Sequence, residues 1–190
     1  MTEKVRSVFS GDVSKGRLEF LFDGVFAIAM TILVLELKLP EQLQDRRSFA
    51  ELGRALLHNG RTFFSYIISF FILSGFWIGH NQIYAPMRRI SKAAMAIHVW
   101  LLAWAAFIPF CAHLIGRYPG NPLALLIYMV AAFAYTLGLL ALVITAEKQE
   151  LFDPGVPAGD VRKLRMGFIR ALIAMLFLAV YFVFILPVLR

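Results

Sequence analysis

Runs of apolar residues separated by short polar segments dominate this chain, and five of them are long: residues 19–39, 62–84, 93–116, 122–146 and 166–189. A helix rises about 1.5 Å per residue, so roughly 20 residues cross the hydrocarbon layer of a bilayer, about 30 Å thick. The runs carry few charges and none alternates apolar with polar positions as a barrel strand would. Lipid offers no partner for open backbone groups, so these runs are expected to be helices. The expected fold class is all-α, a polytopic membrane protein.

The connections have their own signals. Pro40 closes the first run. Between the first two runs, Ser48 to Gly60 places Phe49, Leu52 and Leu56 on one helical face and Glu51 and Arg54 elsewhere, the pattern of a short interfacial helix. Gly116, Pro119, Gly120 and Pro122 predict a tight turn, and residues 149–160, with Pro154, Gly155, Pro157 and Gly159, a polar loop. No internal repeat is evident.

Composition agrees: 60% of the 190 residues are hydrophobic and 16% charged, with mean hydropathy +0.73. Soluble domains average about 45–50% apolar and about 25% charged residues, so lipid must cover the apolar surface that one core cannot hide. The net charge of +7 sits between the runs and suits loops facing anionic lipid rather than a nucleic acid. One side of the membrane would hold Lys4, Arg6, Lys15, Arg17, Arg88, Arg89, Lys92, Lys148, Arg162, Lys163 and Arg165, eleven cations. The other would hold seven: Lys38, Arg46, Arg47, Arg54, Arg61, Arg117 and Arg190. This bias places the N-terminus in the cytoplasm of a multi-pass protein of the cell membrane. The first run is too long for a signal-peptide core and is expected to remain as a span. The single Cys111 lies in an apolar run and is expected to be a packing residue.

Ionisable residues inside spans are costly and therefore functional candidates. Asp23 lies about four residues inside one end of the first span, and His80 about four residues inside the same end of the second. Both therefore sit roughly 6 Å deep. They are expected to hydrogen-bond, with the Trp77 indole adding a donor and Arg17 reaching inward. Such a cluster either clamps two helices or takes part in ion or proton passage. In the first span Ile28, Thr31, Ile32 and Leu35 share one face. That face either packs on neighbouring helices or lines a pore. Glu36, near the other end, either attracts cations or pairs with Lys38 at the interface.

The stretch from Arg17 to Pro40, RLEFLFDGVFAIAMTILVLELKLP, closely resembles the first helix of the endosomal and lysosomal potassium channel family typified by transmembrane protein 175, bacterial members above all. Phe76-Trp77-Ile78-Gly79-His80 is similar to that family's W-x-x-H, and Pro109-Phe110 to a P-F pair found there. The resemblance implies a single transmembrane channel domain over residues 1–190, five to six spans per subunit, and a homotetramer whose first helices line a central pathway. It places the constriction on Ile28, a hydroxyl layer at Thr31, and further apolar rings at Ile32 and Leu35. It also implies a network of Arg17, Asp23, Trp77 and His80 that holds the pore helix. The family has no T-V-G-Y-G filter, and none occurs here. Two departures stand out. The motif's Phe-Ser is Leu21-Phe22 in this chain, and five runs are present where the family has six spans.

The leading expectation is thus a potassium-permeable cation channel, embedded in lipid, passing monovalent cations and needing no cofactor. A secondary or proton-coupled transporter would show inverted repeats and saturable flux. Enzyme chemistry is not expected: a facing carboxylate for Asp23 is lacking, and Ser74 has no nucleophile motif with His80. A non-conducting membrane protein is the remaining class.

Overall fold

The computed structural model describes residues 15–35, 37 and 47–182. Six helices follow in order: α1 (Lys15–Leu35), α2 (Phe49–His58), α3 (Gly60–Tyr84), α4 (Lys92–Arg117), α5 (Pro122–Lys148) and α6 (Ala158–Val180). Four of these, α1, α3, α4 and α5, are long and apolar enough to cross a membrane. The chain is an all-α, multi-pass membrane protein. The first expected span, 19–39, begins at Lys15 instead. The fifth, 166–189, falls on α6, which begins at Ala158, and residues 183–189 lie outside the described residues. Asp160 in the first turn of α6 faces the positive end of the helix dipole and pairs with Lys163 at 3.0 Å, so the charged segment is helical rather than loop.

Helix starts follow local chemistry. Ser48 accepts from the Glu51 backbone N–H at 3.3 Å and opens the amphipathic α2. Its Phe49 and Leu57 are exposed, as expected of a helix lying in the membrane interface. Ser91 caps α4 through the Ala94 N–H at 3.1 Å. Asn121 caps α5 through Leu123 and Ala124, with Pro122 in the first turn. The tight turn before it relies on Gly120, whose φ of +78° is open to glycine at no steric cost.

Helix α5 is central, packing on α3, α4 and α6. Its buried face is built from small residues, including Ala131, Ala134, Gly138 and Ala146, which let neighbouring backbones approach. At Gly138 a Cβ would lie 2.7 Å from Leu101 and 3.0 Å from Trp100 of α4. Several buried polar atoms are satisfied between helices. Ser65 donates to the Ala112 carbonyl at 2.9 Å and Tyr128 to Ser69 at 3.0 Å. The Trp100 indole donates to the Ala134 carbonyl at 3.0 Å. In hydrocarbon each of these groups would otherwise cost several kcal/mol.

Helix α1 packs against α3 and α4, and α6 mainly against α5. One end of the bundle is tied by Lys15, whose Nζ donates to the carbonyls of Ala85 (2.9 Å) and Met87 (2.6 Å). There Arg88 and Arg89 donate to the carbonyls of Glu150 and Gln149, joining the α3–α4 and α5–α6 connections. Cys111 is fully buried, as a packing residue would be.

Candidate functional site

Two faces of α1 differ in what they touch. Leu18, Phe22, Phe26, Ala29 and Leu33 are buried against α3 and α4. The opposite stripe, spaced by three or four residues, is Arg17, Leu21, Gly24, Ile28, Thr31 and Leu35, all exposed. Ile28 is 60% and Leu35 68% exposed, so within one subunit they pack on almost nothing. Ile32 is less exposed, at 39%, because it stands at the edge of the stripe. With Val25, Ile28 and Ala29 it lines one wall of a groove of about 460 Å³, and Pro109, Phe110 and Ala106 of α4 line the other. Thr31 donates its hydroxyl to the Ala27 and Ile28 carbonyls, both at 2.9 Å. That leaves its oxygen lone pairs as acceptors on the exposed stripe. Glu36 lies outside the described residues.

Of the four residues expected to hold α1, the structure joins two. The Trp77 indole N–H donates to Asp23 Oδ1 at 2.8 Å, linking α3 to α1. Asp23 and His80 do not meet, contrary to expectation. His80 is buried and stacks on Phe22, ring centroids 3.4 Å apart, and its Nε2 has no hydrogen-bond partner among the described residues. Arg17 is exposed and bonds to neither of them. The depths agree, since α1 and α3 run antiparallel in a register that sets Phe22 beside His80. The faces do not: Asp23 and Phe22 are 100° apart around α1, and it is Phe22 that occupies the His80 side. Phe22 is the position where the resembled motif has serine, so here a ring covers the imidazole where a hydroxyl would stand.

The sequence reading missed His98. This α4 residue is fully buried, its ring edge-on to His80 with centroids 5.1 Å apart, and its Nδ1 donates to the Ala94 carbonyl at 2.6 Å. The signal was present, because His98 is an ionisable residue inside an apolar run. Tyr84 completes the aromatic cluster, and its hydroxyl donates to the Lys15 carbonyl.

The Asp23–Trp77 bond is charge-assisted and contributes about 1.5–3 kcal/mol at most, with its exposure lowering that figure. Trp77→Phe keeps a ring but removes the donor, whereas Asp23→Asn keeps an acceptor oxygen. Thermal melts of the purified protein should therefore rank Trp77→Phe below Asp23→Asn. The double variant should melt no lower than Trp77→Phe, because both changes act on the same interaction. Additive losses would show that the two side chains act separately.

Residues 17–109 match the family described as endosomal/lysosomal potassium channel TMEM175. The crystal structure of a lysosomal potassium-selective channel TMEM175 homolog from Chamaesiphon minutus superposes with TM-score 0.67 at 26% identity, covering 92% of this chain and 94% of that one. Over residues 17–109 in sequence, and over most of its length in fold, this chain is similar to the TMEM175 family. It is similar to a protein named as a potassium channel from Streptomyces collinus, 29% identical over 161 residues, which are 80% of this chain and 75% of the relative. Another protein so named, from Chryseobacterium, is 33% identical over 129 residues, 66% of this chain and 63% of that relative. The match to the TMEM175 family contains all of α1 from Arg17 onward, the Trp77–His80 segment and Pro109.

Proposed function

We propose that this chain is the subunit of a potassium-permeable cation channel, assembled as a homotetramer around four copies of α1 in the cell membrane, with the N-terminus in the cytoplasm. The observation that carries this reading is the bare stripe of α1 opposite a fully buried face. Ile28, Thr31 and Leu35 are left largely uncovered within their own subunit, free to face other copies of α1. The relatives named as potassium channels supply the ion.

In such an assembly the Ile28 side chains make the narrowest ring. An apolar collar of that kind expels water, and a cation must shed its hydration shell to pass, so the collar is both gate and barrier. Thr31 follows one turn later and offers four hydroxyl oxygens that can partly replace lost water. Ile32 and Leu35 add further apolar lining. Asp23 and Trp77 set the rotation of α1 on α3 and hence the aim of Ile28, while Glu36 would raise the local cation concentration at the far mouth.

Purified protein in a planar bilayer, with potassium on one side and sodium on the other, should show unitary currents whose reversal potential favours potassium. Saturable flux without unitary events would instead identify a transporter.

A further inference from the structure

The end of the bundle opposite Lys15 holds two adjoining cavities that the pore does not use. The first, about 660 Å³, runs along the lipid-facing side between α3, α5 and α6, and is walled by Phe64, Ile68, Ile72, Leu125, Met175 and Leu178. That volume lies within the range of about 300–1,000 Å³ typical of ligand pockets. The polar atoms on its floor are spoken for, because Ser65 bonds to Ala112 and Tyr128 to Ser69. At mid-depth it therefore offers a ligand nothing but hydrocarbon contact. The second cavity, about 800 Å³, is polar and is lined by His58, Arg61, Thr62 and Arg117 among others. Arg61 and Pro119 border both cavities, so the two adjoin. The start of α3 and the end of α4 touch here: a Cβ on Gly116 would lie 3.3 Å from Thr62. This contact brings the exposed Arg61 and Arg117 to one spot. Among the described residues no carboxylate lines either cavity. The amphipathic α2, ending at His58, puts this spot at headgroup level.

We propose that these adjoining cavities bind an anionic phospholipid of the leaflet opposite the α1 N-terminus, its phosphate between Arg61 and Arg117 and one acyl chain along the α3–α5–α6 groove. The occupant follows from the sequence of surfaces: apolar channel inside the bilayer, cations at one end, and no carboxylate lining it among the described residues. A free phosphate would leave the groove empty, and a zwitterionic lipid would bring a further cation beside two guanidiniums. Arginine suits the role because its planar fork grips phosphate with two parallel hydrogen bonds.

The test is the melting temperature of the full-length protein in detergent, titrated with phosphatidylglycerol, phosphatidylcholine or inorganic phosphate. Phosphatidylglycerol should raise it by several degrees, phosphatidylcholine by less than half as much, and inorganic phosphate not at all. Arg61→Gln with Arg117→Gln should remove most of the phosphatidylglycerol shift. Ile68→Trp should do so separately, by filling the groove from an exposed position that leaves the core alone. If the double arginine variant does not yield folded protein, Ile68→Trp decides. A shift equal for both lipids, one reproduced by inorganic phosphate, or one unchanged in Ile68→Trp overturns the proposal. An unchanged shift would leave the groove to another part of the chain or to a second copy. The readout is stability rather than current, so it stands or falls apart from the channel reading.

Discussion

Ile28→Asn is expected to raise potassium flux into proteoliposomes by about an order of magnitude or more, and to weaken the preference for potassium over sodium. An amide at the collar holds water where a branched hydrocarbon expels it, and each tenfold in rate needs only about 1.4 kcal/mol off the barrier. The fold should tolerate the change. Ile28 is 60% exposed and packs on little in its own subunit, so the main cost is helix propensity, a few tenths of a kcal/mol. Leu33 provides the contrast. It lies on the buried face of the same helix at 1% exposure, and Leu33→Asn should destabilise the subunit instead of opening it, because its amide would be buried without a partner. Normal assembly with unchanged flux for Ile28→Asn would remove Ile28 as the constriction and with it the arrangement of α1 around an axis.

The second large effect concerns the α4–α5 contact. Gly138→Leu should lower the melting temperature by about 5–10 °C. Its Cβ alone would approach Leu101 to 2.7 Å and Trp100 to 3.0 Å. Leu101 is fully buried and cannot swing away, and Trp100 is held by its bond to the Ala134 carbonyl. Overpacking of this kind costs about 1–3 kcal/mol, and each kcal/mol moves the midpoint of a domain this size by about 2–4 °C. Adding Leu101→Ala should restore part of the loss by making room, the signature of two residues sharing one space. A melt identical to that of the native chain would mean that α4 and α5 are not held at this distance.

The bare face of α1 and the apolar groove beside it are two different kinds of unpartnered surface. The first joins residues of pore-like spacing to an adjacent aromatic cluster of Phe22, His80, Tyr84 and His98 on its buried side. That cluster packs α3 and α4 against the helix carrying Ile28. Among the described residues, the buried Nε2 atoms of His80 and His98 in it have no hydrogen-bond partner, which makes the cluster a polar weak point in the core.

What lies along the chain was legible from order alone. Apolar run length located α1, α3, α4 and α5, since crossing hydrocarbon demands a minimum number of residues whatever the neighbours do. The face shared by Phe49, Leu52 and Leu56 located α2, and Gly120 with Pro122 the turn before α5, because periodicity and turns depend on nearby residues. Depth was legible too, as rise per residue is constant, and so α1 and α3 do match level by level. What lies around each helix was left to the tertiary structure. Whether Asp23 meets His80 or Trp77, and whether His98 enters the cluster, depends on how helices are rotated against one another. That rotation is set by the summed packing of side chains such as Phe22 and Gly138, which no single segment contains.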